Sequence, residues 1–381
     1  MLEIASFAGL VTLNRIRPNL FVHGYVDHHF DSITEEFRRE FVDDGYYDSA
    51  LGWDNSPSRE FHGKNTVGQP YFVSYDADGS RADNLPTKQL LINTYGDSMI
   101  WCDEVDNDKT FQYFLESRIG YEVKNFGVGA YGTDQAVLKL EKHLAQGISA
   151  PITILGILDE NINRVMTSFR PLYEENSGVK LGFKPSFRVD ANGRVEMIPN
   201  PNPSRDASLE DLRALAHRLA NQDFWIRASG KIEIDFPYTF QAAHAIAFIA
   251  DRKFRDWSDA PSYVEDINLW DTAEGSAVMH YLVDKFVTLA TEAHSIPVVL
   301  LLPRGVTLRQ SEARYERFAD EIQRRHPDLY VVDLMDQEFD RERFNIRPYG
   351  GHASPYGNEV IARVLEQTYD RIRAEHELVP R

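Results

Sequence analysis

The sequence has little cysteine, few positive charges and no long apolar run. Its single cysteine, Cys102, excludes an internal disulfide bond and a zinc site built from several cysteines, which fits a reducing compartment. Lys and Arg number 41 against 59 Asp and Glu, which gives a formal charge of −18. This excess of negative charge argues against nucleic acid and anionic lipid as partners.

No stretch approaches the roughly 18–20 apolar residues that a membrane helix needs. The N-terminus has no basic segment followed by a long apolar core, so we expect no signal peptide and no membrane partner, and we expect a cytoplasmic protein. The 381 residues are 43% hydrophobic and 12% aromatic, enough for a sizeable core.

Short apolar runs alternate with helical patterns from about residue 88 onward. Five runs are predicted as buried strands: 89–95, 121–126, 151–158, 296–302 and 329–333. Five segments are predicted as helices: 108–120, 134–145, 275–295, 311–326 and 355–375. Strands that are apolar on both faces and alternate with helices predict a three-layer α/β/α, flavodoxin-like domain with a parallel five-stranded sheet.

Two segments fall outside this alternation. Residues 1–87 show at most one helix, at 33–41, and are predicted to be an N-terminal extension packed on the core. The core then comprises residues 88–169 and 275–381. Residues 170–274 are predicted to be a large insertion, either a lid or a wall of the substrate site.

The insertion contains recognisable local patterns. Asn192-Gly193 predicts a hairpin turn, and Ser208 with Asp211 resembles a capping box at a helix start. A second helix is predicted around 238–251. Aromatic residues that suit an internal core, or in part a sugar-binding wall, crowd this segment: Trp225, Tyr238, Phe240, Trp257, Tyr263 and Trp270.

Residues with catalytic potential follow the predicted strands. The first strand ends in Gly96–Ser98, a turn that places Ser98 at the carboxyl edge of the sheet, where such sheets bind ligands. The glycine-rich loop Asn125–Gln135 follows the second strand and is suited to point N–H groups at a developing oxyanion. Amide and carboxylate side chains fill Gly156–Arg164 after the third strand, and His352 lies in a glycine-rich loop before the last helix.

In this order and placement, the four segments resemble the blocks of the SGNH (GDSL-like) hydrolase superfamily, bacterial type. The resemblance covers about residues 88–165 and 275–370, and Tyr75–Arg81 is similar to the lead-in of bacterial members. It implies ester hydrolysis through an acyl-enzyme without a cofactor or metal. Ser98 would be the nucleophile and an oxyanion donor through its N–H, and His352 would be the general base.

The chain departs from the family pattern in front of the histidine. The family usually has an aspartate three residues before it, where this chain has Tyr349. The third member of a triad must then come from elsewhere. Asp333 and Asp336 are the nearest candidates in sequence, and a backbone carbonyl that orients His352 is the alternative.

The other oxyanion donors are also displaced from the family spacing. The backbone N–H falls on Ala130 or, one residue earlier, on Gly129. The side-chain amide is predicted to come from Asn161, with Asn163 as the fallback. Arg164 is expected to be structural and to pair with a carboxylate.

Two further features have plain structural explanations. Cys102 lies one helical turn after Ser98, and a buried, inert thiol is favoured over a second nucleophile. A small cluster near the N-terminus is interpreted as solvated or structural rather than as a metal site, because strand alternation would separate its neighbouring histidines: His23, Asp27, His28, His29 and Asp31.

The sequence therefore predicts a serine esterase that removes a small acyl group, such as acetyl, from a carbohydrate or similar ester. The charge of −18 favours a neutral ester over an anionic polymer. Two alternatives stay open: an O-acyltransferase that uses the same Ser98 and His352, and a catalytically silent SGNH-like binding protein. A metal-dependent enzyme ranks last.

Overall fold

The computed structural model describes residues 1–83, 85–86, 88–174, 178–258 and 268–380, with side chains excepted at 255–258. The chain forms two compact units. We call one the sheet domain (Asp54–Val165, Arg188–Glu196 and Trp270–Arg381) and the other the helical unit (Met1–Trp53, Met166–Phe187 and Met197–Leu269).

The centre of the sheet domain is a parallel sheet of five strands, β1 to β5 in chain order: Leu90–Tyr95, Glu122–Asn125, Ile152–Leu158, Ile296–Leu302 and Tyr330–Asp333. The spatial order is β5-β4-β3-β1-β2, and every neighbouring pair is parallel. This is the flavodoxin-like order, in which the chain reverses direction between β1 and β3. The crevice at the carboxyl ends of these two strands is the expected ligand site.

Helices cover both faces of this sheet, and we number those of the sheet domain α1 to α7: Ser98–Trp101, Phe111–Ile119, Thr133–Ala145, Asn161–Val165, Ala273–Glu292, Glu316–Arg325 and Pro355–Glu375. Helix α2 packs against α7, and α3 packs against α5. The predicted three-layer α/β/α class is confirmed. The ends of most predicted strands and helices move by one to five residues, whereas β4 and α7 keep their predicted bounds.

Strand β4 shows why the strands were readable from the sequence. Val298 and Leu300 share a buried cluster with Ile361 and Leu365 of α7. The alternate residue Val299 points to the opposite face and is fully buried as well. A strand that is buried on both sides needs an unbroken apolar sequence, and this run provides it.

Short elements complete the sheet domain and carry part of the site. Glu60–Lys64 pairs with Pro70–Ser74, and Asn345–Arg347 pairs with Gly350–Ala353, both antiparallel. Short 3₁₀ helices lie at Asn107–Lys109, Thr307–Arg309 and Leu334–Asp336, and another spans Leu269–Asp271.

The helical unit is built mainly from helices: Leu2–Ile16, Val22–Asp31, Glu35–Asp43, Arg170–Tyr173, Leu209–Ala220, Phe224–Ala228 and Tyr238–Ser258, with a 3₁₀ turn at Pro18–Leu20. Tyr47–Asp48 and Gly52–Trp53 form a small antiparallel pair. The largest buried cluster of the helical unit includes Val26, Phe30, Phe169, Phe183 and Leu212.

Two local predictions for residues 170–274 are confirmed. Ser208 and Asp211 form a capping box at the start of Leu209–Ala220. A hairpin joins Ser186–Val189 to Val195–Ile198, with Gly193 at positive φ in its turn. Of the aromatic residues singled out in this segment, Tyr263 and the side chain of Trp257 lie outside the described residues.

The expectation of at most one helix before residue 87 was wrong. Helices Leu2–Ile16 and Val22–Asp31 precede the expected one, which lies at Glu35–Asp43. The segment Leu2–Ile16 is apolar around nearly its whole circumference, so it lacks the one-sided pattern by which a surface helix is recognised. The contacts also group residues 1–53 with the helical unit and 54–87 with the sheet domain.

Within the described residues, none of the helices combines the length and apolar character that crossing a bilayer demands.

Packing of α7 on the sheet is tested by truncating a buried side chain. Leu365→Ala should lower the free energy of unfolding by about 2–5 kcal/mol, because Leu365 is 2% exposed and its removal leaves a cavity. Gln367→Ala, at an exposed position of the same helix, should change it by less than about 0.5 kcal/mol. Urea denaturation checks both, and equal effects of the two substitutions would contradict the packing described.

Candidate active site

Ser98 lies directly beyond β1, on a turn that only glycine permits. A β-carbon on Gly96 would lie 2.3 Å from Cγ1 of Ile100 and 3.0 Å from the carbonyl oxygen of Gly156. Asp97 then caps α1, because its side chain accepts a hydrogen bond from the Met99 N–H at 2.9 Å. Ser98 is thus the first residue of a short helix at the carboxyl edge of the sheet.

The chain turns back on itself immediately after α1. Cys102 and Glu104 both adopt left-handed backbone conformations, with φ of 61° and 70°. The N–H groups of Cys102 and Asp103 donate to the carbonyl oxygen of Ser98. The reversal brings the carboxylate of Glu104, six residues further along the chain, near Ser98.

His352 joins these two residues. It lies on the short strand Gly350–Ala353, and its Nε2 is 2.9 Å from the Ser98 Oγ. Its Nδ1 is 2.9 Å from Oε2 of Glu104, and its backbone N–H donates to the same oxygen at 2.7 Å. Ser98, His352 and Glu104 therefore form a continuous hydrogen-bonded chain.

Glu104 is held as an anion. It is 8% exposed, and its other oxygen accepts hydrogen bonds from the backbone N–H and the hydroxyl of Thr66. Burial opposes ionisation, but the hydrogen bonds from His352 and Thr66 outweigh it and lower the pKa of Glu104 to about 2. A carboxylate only accepts, so Nδ1 of His352 carries a proton and Nε2 accepts the Ser98 hydroxyl proton.

The environment also makes His352 more basic than an ordinary histidine. Burial alone would lower its pKa, but the hydrogen bond to Glu104 and the negative charges of Asp103, Glu104 and Asp97 raise the pKa above its usual value. The nearest Asp103 oxygen is 3.9 Å from Nδ1, and Tyr71 holds that side chain by donating its hydroxyl to Asp103 at 2.6 Å. The site thus favours a positively charged imidazole.

The prediction of Asp333 as the third member is corrected by this geometry. Asp333 lies at the end of β5 and accepts hydrogen bonds from the Tyr315 hydroxyl at 3.0 Å and the Met335 N–H at 2.8 Å. Its burial raises its pKa to about 6. Glu104 takes the position at His352 Nδ1, and neither Asp336 nor a backbone carbonyl is required there.

Sequence reasoning missed Glu104 although it lies close to the nucleophile. In the family pattern the partner precedes the histidine by three residues, where this chain has Tyr349. The available signal was the adjacent acidic pair Asp103-Glu104, six residues or fewer after Ser98. Glu104 reaches His352 because Cys102 and Glu104 adopt left-handed backbone conformations, and no simple periodicity in the sequence predicts such conformations.

Arg164 and Asn161 lie in α4, which follows β3, and both contact the turn that carries Ser98. Nη1 of Arg164 donates to Oδ2 of Asp97 at 3.1 Å and to the carbonyl oxygen of Tyr131 at 2.9 Å. The guanidinium also contacts Glu160. Arg164 therefore pairs with carboxylates, as the sequence suggested, and fixes Asp97 against the glycine-rich loop.

The amide of Asn161 faces the same carboxylate. Its Nδ2 donates to Asp97 Oδ2 at 2.8 Å, and its Oδ1 accepts from the Leu158 N–H at 2.9 Å. An amide nitrogen carries two N–H groups, so its oxyanion role stays a prediction alongside the bond to Asp97. The fallback, Asn163, is buried in α4, where its N–H donates to the carbonyl oxygen of Glu160.

The predicted oxyanion loop lies against the helix that begins with Ser98. A β-carbon on Gly127 would lie 2.2 Å from the backbone nitrogen of Trp101, so only glycine allows this approach. Ala130 has a positive φ of 63°, and the space beside Gly129 ends at the Trp101 ring. Donation of a backbone N–H to an oxyanion, by Gly129 or by Ala130, stays a prediction.

Cys102 and His29 are buried, whereas the other members of the N-terminal cluster are exposed or partly exposed. Cys102 is buried, which raises the pKa of its thiol to about 12 and removes the thiolate needed for nucleophilic attack. The cluster lies on helix Val22–Asp31, not on the strand assumed from sequence, and His29 Nε2 lies 2.8 Å from the Lys180 carbonyl oxygen. No three His, Cys, Asp or Glu side chains among the described residues are grouped to hold a metal ion.

Comparisons with known proteins give distant structural neighbours. A member of the lipolytic protein G-D-S-L family from Veillonella parvula is 9% identical, with a TM-score of 0.37 over 74% of this chain and 98% of its own. A family 3 carbohydrate esterase from Clostridium thermocellum is 13% identical, with a TM-score of 0.37 over 76% of this chain and 100% of its own. The sequence matches no protein-family model and no curated protein.

The buried ion pair between Arg164 and Asp97 is tested by replacing the arginine. Arg164→Met should lower the free energy of unfolding by about 3–5 kcal/mol, because the buried Asp97 carboxylate loses its compensating charge. Arg118→Met is the matched control, since Arg118 pairs with Glu366 in a partly exposed ion pair worth at most about 1 kcal/mol. Guanidinium denaturation measures both, and a loss of under 1 kcal/mol at Arg164 would show that the pair is not essential.

Proposed function

We propose that the protein is a serine esterase of the SGNH type that works through an acyl-enzyme. The observation that supports this most directly is the unbroken chain from the Ser98 Oγ through both ring nitrogens of His352 to Glu104, with each side-chain contact at 2.9 Å. A nucleophile, a base within hydrogen-bond reach and a group that orients the base are the parts that acyl transfer requires.

The reaction proceeds in two halves. The Ser98 Oγ attacks the ester carbonyl carbon while His352 Nε2 takes the hydroxyl proton. The imidazolium then gives that proton to the leaving alcohol as the carbon–oxygen bond breaks, which leaves an acyl group on Ser98. Water attacks this acyl group as His352 Nε2 takes a proton from it. The imidazolium then returns that proton to the Ser98 Oγ as the bond between the acyl carbon and Oγ breaks, which releases the carboxylic acid.

The carboxylates around His352 favour the charged state that forms during each attack. Glu104 stays ionised down to about pH 2, so it holds the ring through Nδ1 and stabilises the imidazolium throughout the neutral range. The developing oxyanion would be bound by the Ser98 N–H, a backbone N–H from Gly129 or Ala130, and the Asn161 amide. In sites of this kind, one such donor contributes about 3–4 kcal/mol of transition-state stabilisation.

As substrate we propose a neutral ester with a small acyl group, such as an acetyl ester of a carbohydrate. The sequence resemblance suggests the class. The net charge of −18 disfavours a strongly anionic polymer.

A fluorophosphonate probe tests the nucleophile. It should label the folded wild-type protein and should not label Ser98→Ala or His352→Ala, since the first lacks the attacking oxygen and the second lacks its base. Ser117→Ala, at an exposed serine of α2, should label as wild type does. Labelling that persists in Ser98→Ala, or its absence from folded wild type, would refute the proposed nucleophile.

Hydrolysis of 4-nitrophenyl acetate and of acetylated sugars then tests the reaction. The same two substitutions should lower kcat by up to about 10⁶-fold, as the loss of a nucleophile or base does in serine hydrolases. An added sugar alcohol should leave the rate of acetate release unchanged. Acetyl transfer to that alcohol in preference to water would instead identify an acyltransferase.

The pH dependence of kcat/KM tests the role of Glu104. The imidazole must be neutral to accept a proton, and its pKa is raised, so activity should fall with decreasing pH through a midpoint above the ordinary histidine value of about 6.5. Glu104→Gln removes the negative charge, so the midpoint should move to lower pH. The analogous change in the Ser-His-Asp template lowers kcat by about 10⁴-fold.

Glu359→Gln, an equal change of charge at an exposed position of α7, is the control and should keep the wild-type profile. An unchanged midpoint and rate in Glu104→Gln would remove Glu104 from the mechanism while leaving Ser98 and His352 in place.

A further inference from the structure

We propose that Arg81 is a positioning residue that holds the turn carrying Glu104 in register with His352. The proposal deepens the proposed esterase function and rests on it. Arg81 belongs to the segment Tyr75–Arg81, and it acts on the site through backbone groups of the turn that follows Ser98.

The contacts of Arg81 converge on that turn. Its side chain is nearly fully buried, and Nη1 donates to the carbonyl oxygens of Trp101 at 2.8 Å and Cys102 at 2.6 Å. Nη2 donates to the carbonyl oxygen of Val105, and Nε donates to Oδ1 of Asn107 at 3.0 Å. These acceptors lie on both sides of Glu104 in the sequence, so one guanidinium group brackets the catalytic carboxylate.

The turn from Cys102 to Val105 needs hydrogen-bond donors that hold its backbone in place. Cys102 and Glu104 hold left-handed conformations, in which the β-carbon crowds the backbone and the free energy rises. The same reversal directs several carbonyl oxygens inward, away from helix or strand partners. Buried carbonyl groups without donors are strongly disfavoured, and the fixed geometry of a guanidinium satisfies several at once.

Arg81 also connects this turn to the predicted oxyanion loop. Its backbone N–H donates to the carbonyl oxygen of Asn125 at 2.8 Å, and Asn125 Nδ2 donates to the Trp101 carbonyl oxygen at 3.3 Å. Asn125 is the last residue of β2, from which the loop containing Gly129 and Ala130 departs. Arg81 thus links the position of the orienting carboxylate to the position of the oxyanion donors.

The segment that carries Arg81 is itself anchored. Asp76 and Ser80 close a turn through backbone hydrogen bonding at 2.8 Å. The ammonium group of Lys124, on β2, contacts Asp76 at 3.1 Å and Asp78 at 3.3 Å. The backbone that carries the guanidinium group is therefore held in place, which a positioning role requires.

Arg81→Lys is the informative variant, because it keeps the charge and loses the branched set of donors. NMR titration of the His352 ring, assigned by comparison with His352→Gln, reports the contact with Glu104 without any need for activity. We expect the His352 pKa to fall toward the ordinary histidine value. In hydrolysis, kcat should fall about 10²-fold with KM nearly unchanged, as expected for a misplaced catalytic group.

Lys139→Met provides the control for loss of a buried cation. Lys139 lies in α3, is buried and contacts Asp54 at 2.5 Å, away from the Glu104 turn. It should reduce thermal stability and leave the His352 titration unchanged. A purely structural role for Arg81 predicts the same behaviour for Arg81→Lys.

A double-mutant cycle completes the test. In a Glu104→Gln background, Arg81→Lys should have little further effect on kcat, because the group that it positions is already lost. Fully additive effects, or a wild-type His352 titration in folded Arg81→Lys, would overturn the proposal. If wild type fails to react with the fluorophosphonate probe, the esterase function fails, and the NMR titration still decides whether Arg81 positions Glu104.

Discussion

The rest of the site depends on the hydrogen bonds that converge on the Glu104 carboxylate. One oxygen accepts hydrogen bonds from the backbone N–H and the hydroxyl of Thr66. The other accepts hydrogen bonds from the backbone N–H and the ring Nδ1 of His352. These donors come from segments far apart in sequence, so a single anion joins them to the turn that follows the nucleophile. Without its donors, a buried carboxylate would take up a proton, and the charge that orients His352 would be lost.

Much of the sheet domain was readable from the sequence because burial imposes simple patterns. Strand β4 and helix α7 occur at Ile296–Leu302 and Pro355–Glu375 with the predicted bounds. Ser98 and His352 were identifiable because each closely follows glycine in the sequence, next to a predicted strand or helix. The fold rule that ligands bind beyond the carboxyl ends of parallel strands then placed them together.

The features that escaped prediction depend on long-range contacts or on unusual backbone conformations. Glu104 reaches His352 only because Cys102 and Glu104 are left-handed, and the sequence favours no such state at either position. Nothing in the sequence distinguishes Arg81 from the other arginines, because its role depends on the backbone carbonyl groups that it contacts in the fold. Helix Leu2–Ile16 was missed because its composition lacks a polar face, which is the usual mark of a surface helix.

The spacing of the catalytic residues has a consequence for how the site assembles during folding. Ser98 and Glu104 lie on one short segment, whereas His352 is 254 residues from Ser98 in the chain. The three residues therefore require one distant closure instead of two, and the entropic cost of closure rises only slowly with loop length. During synthesis from the N-terminus, Ser98 and Glu104 emerge together and His352 emerges late. The hydrogen-bonded chain of these three residues can therefore close only after all five strands of the sheet, the last of which ends at Asp333, have been made.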